Sequence, residues 1–137
     1  VKVYLASRFS RREELAEYAA QLEAAGIEVT SRWLKGGHQI SDDQLNDGAA
    51  ELALGARYAM EDTLDLAAAD CCVFFSEEPR STSSRGGRHV EYGITLMGNI
   101  IGERKRRILL VGPRENVFMF IPASSSSHPS TIASWSS

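Results

Sequence analysis

The sequence predicts an α/β fold, a doubly wound parallel sheet of the Rossmann or flavodoxin type built as a single domain. Three observations carry that expectation. Apolar runs of strand length alternate with segments of helical periodicity from the N-terminus onward. One run, Cys71–Phe75 (CCVFF), is apolar at every position, as a central parallel strand covered on both faces requires. The chain has 137 residues, 43% hydrophobic and 24% charged, which suits one core and leaves little room for a second domain.

The elements follow in order. Val1 to Ala6 alternates around Val3 and Leu5 and reads as the first strand. Ser10 stands where an N-cap is needed, and Glu13 three residues on completes a capping box. Leu15, Tyr18, Ala19 and Leu22 recur at helical spacing, and Gly26 closes that helix. Ile27 to Thr30 is a short second strand, so the chain opens on a right-handed βαβ unit. A glycine-containing loop from Trp33 to Ile40 leads to Ser41, which caps a long helix running to Leu66. Asp42 and Asp43 suit its first turn, and a break is expected near Gly55. After CCVFF comes a polar loop from Ser76 to Arg88, then a helix over Val90 to Met97 and a buried strand over Arg107 to Val111. A domain spanning residues 1–123 is expected to end in a flexible serine-rich tail, 124–137.

The net charge of −3 argues against a nucleic-acid polymer as partner, because phosphate-backbone binding needs a basic surface. No apolar stretch approaches the roughly 20 residues that cross a bilayer, so no membrane partner is expected. The adjacent Cys71 and Cys72 give no disulfide framework and read as small core residues, which fits a reduced, cytoplasmic chain. His38 and His128 lack partners at ligand spacing, and neither a metal nor another cofactor is expected. Leu96 and Met97 are expected in the core, Asp70 in a structural hydrogen bond, and Arg104 to Arg107 on a solvated face.

In doubly wound sheets ligands sit beyond the carboxyl ends of the strands. That rule selects Ala6 to Ser10, with Ser7 and Arg8; Ser31 to Gly37, with Trp33 as a possible stacking surface; and Ser76 to Glu91. The last segment ends in SSRGGRHVEYG, Ser83 to Gly93. Gly86 and Gly87 let the backbone approach a ligand, and the following helix offers free N–H groups to an anion. Ser84, Arg85 and Arg88 add hydroxyl and positive charge, with His89 adjacent. Glu91 is placed in the first helical turn, where the dipole favours the ionised carboxylate.

YLASRF at the first strand, Asp62 eight positions before the Ala69–Asp70 strand start, and a Gly-rich loop ending in HVEYG together resemble the nucleoside 2-deoxyribosyltransferase family, which includes deoxynucleoside 5′-monophosphate N-hydrolases. The resemblance spans about residues 1 to 112, and the later GPRENVF is compatible with it. It implies that Glu91 is the nucleophile or oxocarbenium stabiliser, that Asp62 assists at the base or sugar, and that Tyr4 positions Glu91 or the substrate. It also implies that Ser84, Gly86 and Gly87 hold the 5′ end of the nucleotide, and that a neighbouring copy in a homodimer or dimer of dimers stands beside the pocket. Transferases often carry an Asp six residues before the Glu, and here that place is Arg85. A base suits phosphate better than a bare hydroxyl, which shifts the expectation from transferase to nucleotide hydrolase. Base exchange between nucleosides and a non-catalytic nucleotide sensor are the alternatives. A phosphoribohydrolase with a PGGxGTxxE motif ranks lower, because GGRHVE lacks the GT spacing.

Overall fold

The computed structural model describes residues 1–36, 49–102, 104–122 and 124–127. Its sheet is built from β1 (Lys2–Ala6), β2 (Glu28–Val29), β3 (Cys71–Phe75), β4 (Arg107–Val111) and β5 (Ser124–Ser127), in the order β2-β1-β3-β4-β5. Every pairing is parallel. This is the flavodoxin-like order, in which the winding direction reverses between β1 and β3 and opens a crevice at their carboxyl ends. The expected fold class is therefore the observed one.

Among the described residues, three helices cross between strands. The first, α1 (Arg12–Ala24), buries Leu15, Ala19 and Leu22 against the sheet. It stops as the sequence predicts: Gly26 has φ +86°, Gly26 N donates to Glu23 O at 3.0 Å and Ile27 N to Leu22 O at 3.0 Å, a Schellman closure. Its start differs. Ser10 lies inside a 3₁₀ turn, Phe9–Arg11, and offers no cap; Arg11 instead grips Glu14 of the first turn through both carboxylate oxygens.

Helix α2 (Ala49–Ala68) runs unbroken through Gly55, because a single glycine costs only about 1 kcal/mol inside a helix held by tertiary contacts. The predicted cap at Ser41 and the acidic pair Asp42 and Asp43 lie outside the described residues. The carboxyl end of α2 is closed by side chains that the sequence placed on a solvated face. Arg106 Nε donates to Leu66 O at 3.1 Å, and Arg104 donates to Ala67 O and Ala69 O at 3.3 and 3.2 Å. Cations at exposed carbonyls satisfy acceptors that the helix cannot. Asp70, as expected, is structural: it accepts from Lys2 N at 2.9 Å and pairs with Arg104.

Helix α3 (Gly87–Ile101) begins three residues before the expected start and ends four after the expected end. Tyr92, Thr95, Leu96 and Asn99 form its buried face, with Tyr92 edge-on to Phe74 at 5.0 Å. Leu96 is in the core as expected. Met97 is not: it is 53% exposed, because it follows Leu96 around the helix onto the outer face. The strand β5 replaces the first part of the expected flexible tail, with Ser124 to Ser127 pairing along Ile108 to Val111. Backbone hydrogen bonds at a sheet edge need no apolar side chains, which is why serines serve. The rest of the predicted tail, 128–137, lies outside the described residues. No helix among the described residues is long and apolar enough to cross a membrane.

Candidate active site

A cavity of about 460 Å³ opens at the carboxyl ends of β1 and β3, where the sheet order reverses. That volume suits a small-molecule ligand. The turn after β1 supplies Ser7 and Arg8, and the 3₁₀ turn Arg32–Leu34 supplies Trp33. The loop after β3 supplies Ser84, Arg85 and Gly86, continuing into Gly87 and Arg88 of α3. Asp62 and Glu91 complete the lining from α2 and α3. Of the predicted site residues, only Tyr4 and His89 do not line the cavity. Ser83 of the loop after β3 lines it too, as do Phe9, Ser10 and Thr82, to which the sequence gives no ligand role of their own.

The loop reaches α3 through Gly86, whose φ of +83° is a left-handed conformation that residues with a Cβ adopt at a cost. Gly86 is the N-cap and provides no side-chain oxygen, so the N–H groups of Gly87 and Arg88, two residues that line the cavity, have no side-chain cap from it. Trp33 is 6% exposed and ties its indole N–H to Leu5 O at 2.9 Å, while the edge left open meets the cavity. Phe9 leans on it with ring centroids 6.2 Å apart.

Glu91 lies in the second turn of α3, not the first, because the helix starts earlier than expected. Its Oε2 is out of contact with solvent and meets no hydrogen-bond partner of ordinary geometry. Burial pushes its pKa up to about 8, against the opposing influence of the Tyr4 hydroxyl, with the negative charge of Asp62 adding to the rise. The expectation of a plainly ionised Glu91 is thereby corrected: desolvation outweighs the helix dipole, which fades within the first turn. Tyr4 is fully buried in β1 and its hydroxyl interacts with that carboxyl. Burial, then the charges of Glu91 and Asp62, hold its hydroxyl well above the ordinary tyrosine range, so it is a neutral donor.

The neighbouring carboxylates have other partners. Asp65, one turn after Asp62, accepts from Arg32 N and Nε at 3.0 and 2.9 Å. Glu61 pairs with Arg57 at 3.1 Å. Burial raises the Cys71 thiol to about 12 and that of Cys72 to about 11, so neither supplies a thiolate at neutral pH. Among the described residues, no three His, Cys, Asp or Glu side chains gather as metal ligands.

Two of the basic side chains predicted at the site are held by carboxylates. Arg88, its side chain 5% exposed, donates to Glu115 at 2.6 Å and to Ser84 Oγ at 2.6 Å. Arg8 pairs with Glu77 at 2.8 Å, and Glu77 also holds Arg11 at 2.7 Å. Nothing in the sequence marks Glu77 or Glu115 as partners of those arginines. His89 stands 3.7 Å from Glu115, and burial followed by the Arg88 charge lowers its pKa, which favours the neutral ring.

No protein-family model matches the chain, and no curated protein matches it in sequence. Among solved structures it is similar to the CMP N-glycosidase BcmB of Clostridium botulinum, with a TM-score of 0.48 and 20% identity over 93% of this chain and 87% of that one.

Proposed function

We propose that the protein cleaves the N-glycosidic bond of a nucleoside or deoxynucleoside 5′-monophosphate and releases the free base. The observation that carries this reading is Glu91: a carboxyl whose Oε2 is out of contact with solvent and without a hydrogen-bond partner of ordinary geometry, at a cavity that also holds a second carboxylate. A buried carboxyl with a strongly raised pKa in a cleft is costly to the fold and is the expected mark of a reacting group.

The chemistry follows from the arrangement. As the C1′–N bond breaks, its electron pair passes to the base, and positive charge builds on the sugar ring. A carboxylate against the anomeric carbon stabilises that charge more than it stabilises the ground state, or captures it as a covalent ester. Asp62, on the facing helix, is the proton donor to the departing nitrogen. Water then adds its hydroxyl to the anomeric carbon, releasing Glu91 where an ester has formed, and its proton returns to Asp62, which completes the sugar phosphate. Tyr4 holds Glu91 in place. The Ser84–Gly87 loop and the first turn of α3 receive the phosphate, and Trp33 with Phe9 offers a flat apolar wall to the base.

The active form is proposed to be a homodimer. Val90, Ile94, Met97 and Ile101 recur along α3 at heptad-like spacing and are 63%, 41%, 53% and 75% exposed. Met60 and Leu64 on α2, 59% and 55% exposed, add to the apolar surface. A stripe of this kind on a helix is the pattern that a second copy covers.

The deciding experiment is product analysis by chromatography after incubation with a panel of nucleotides and nucleosides. Free base and sugar phosphate are expected from a monophosphate. Base exchange with an added second base would identify a transferase, and binding without any product a sensor.

A further inference from the structure

Glu115 lies in the segment after β4 and does not line the cavity, yet it is among the most enclosed carboxylates described, its side chain 8% exposed. Its Oε2 accepts from Arg88 Nη2 at 2.6 Å. Its Oε1 accepts from the backbone N–H of Glu77 at 2.9 Å and lies 3.4 Å from Arg88 Nε. The same guanidinium donates from Nη1 to Ser84 Oγ at 2.6 Å. One carboxylate therefore fastens the end of β3 and the first turn of α3, and through Arg88 it fastens the loop between them.

We propose that Glu115 is a positioning residue for the phosphate-receiving end of the pocket, acting through Arg88 on the Ser84–Gly87 loop. The proposal rests on the reading of that loop as the seat of a 5′-phosphate. Two opposite effects are in play. As a bare negative charge near an anion site, Glu115 would weaken phosphate binding, and its removal would tighten it. As a brace, it keeps the loop preorganised, and its removal lets a buried guanidinium turn from Ser84 toward water. The brace prevails because Arg88 has a multidentate grip on Glu115 and is itself almost fully enclosed. The anchoring of Glu115 supports the same role: its own backbone N–H contacts Met119 Sδ at 3.2 Å, and Met119 is buried.

The test is a double-mutant cycle of Glu115→Gln and Arg88→Gln in the full chain. It reads kcat and KM on a nucleoside 5′-monophosphate, with calorimetric Kd values for the matching nucleoside and for inorganic phosphate. Glu115→Gln is expected to raise KM and the phosphate Kd about tenfold while kcat stays within about threefold and the nucleoside Kd is unchanged. In the Arg88→Gln background the same change should add less than about threefold, since its route is gone. Where Glu115→Gln alone does not fold, Glu115→Asp keeps the charge with a shorter reach, and an intermediate rise in KM is expected. Tighter phosphate binding in Glu115→Gln would overturn the proposal in favour of a simple charge effect. Equal losses for nucleoside and phosphate, or full additivity with Arg88→Gln, would overturn it as well. Should the wild-type chain bind the nucleoside as tightly as the monophosphate and ignore inorganic phosphate, the loop is not a phosphate seat and this proposal falls with it. Cleavage by Glu91, tested separately, is untouched by that outcome.

Discussion

The carboxyl of Glu91 on α3, at the cavity wall, interacts with the hydroxyl of the buried Tyr4 on β1, and each perturbs the other's ionisation. The hydroxyl favours the carboxylate, while the surrounding apolar core favours the acid, and burial wins. The ionised form is the one that stabilises a sugar cation. On the proposed mechanism, Glu91 therefore works from an environment that resists its reactive state.

That balance sets a pH dependence. Below its raised pKa of about 8, Glu91 in the free protein is protonated and cannot stabilise a cation. Activity should therefore be lost as pH falls through that value. From pH 6.5 to 8.5, kcat/KM on a substrate whose base leaves unprotonated, and so needs no proton from Asp62, is expected to rise more than about tenfold. A pH–rate profile flat over that range would mean that Glu91 is ionised throughout or is not the essential carboxylate.

The same shift makes Glu91 a burden on stability at high pH. A carboxyl whose folded pKa is raised binds more protons folded than unfolded, so stability falls as pH rises from its ordinary range to about 8. Glu91→Gln removes that ionisation. The variant should melt above wild type at pH 9 and lose the advantage near pH 5, with each 1 kcal/mol worth roughly 3–5 °C at this length. Equal melting curves at both pH values would show that the carboxyl is better solvated than its surroundings imply.

Asp62 is tested through the leaving group. If it protonates the departing base, Asp62→Asn should slow substrates with poor leaving groups by about 100-fold or more and spare a nitrophenyl-type glycoside that leaves unprotonated. Equal slowing on both kinds would assign Asp62 to holding the sugar or Glu91 instead.

Assembly is tested on α3. Light scattering at micromolar concentration should give about twice the 15.0 kDa chain mass, and Ile94→Lys with Met97→Glu should return it to 15.0 kDa while leaving the fold intact. A wild-type monomer at tens of micromolar would remove the proposed interface.

What the sequence made legible was what local pattern determines. The strands Cys71–Phe75 and Arg107–Val111 declare themselves by continuous apolar residues, and Gly26 by the left-handed turn that only glycine takes easily. The cavity's lining was largely foreseen because strand ends are known once strands are. What stayed hidden depends on contacts distant in sequence. The start of α3 carries no capping side chain, so the sequence places its first turn in the loop and Glu91 in the first helical turn. The pairs Arg88–Glu115 and Arg8–Glu77 join residues 27 and 69 positions apart, and no spacing rule finds them. Ser124 to Ser127 have no apolar alternation, and only the open edge of β4 makes them a strand.

The central claim is that the Glu91 carboxylate carries the cleavage, and Glu91→Gln turnover on a nucleoside 5′-monophosphate tests it most directly. The account predicts a loss of about 100-fold or more in kcat with an unchanged fold, because an amide of the same shape cannot stabilise an oxocarbenium ion. Base release by a folded Glu91→Gln variant at near wild-type rate would contradict it.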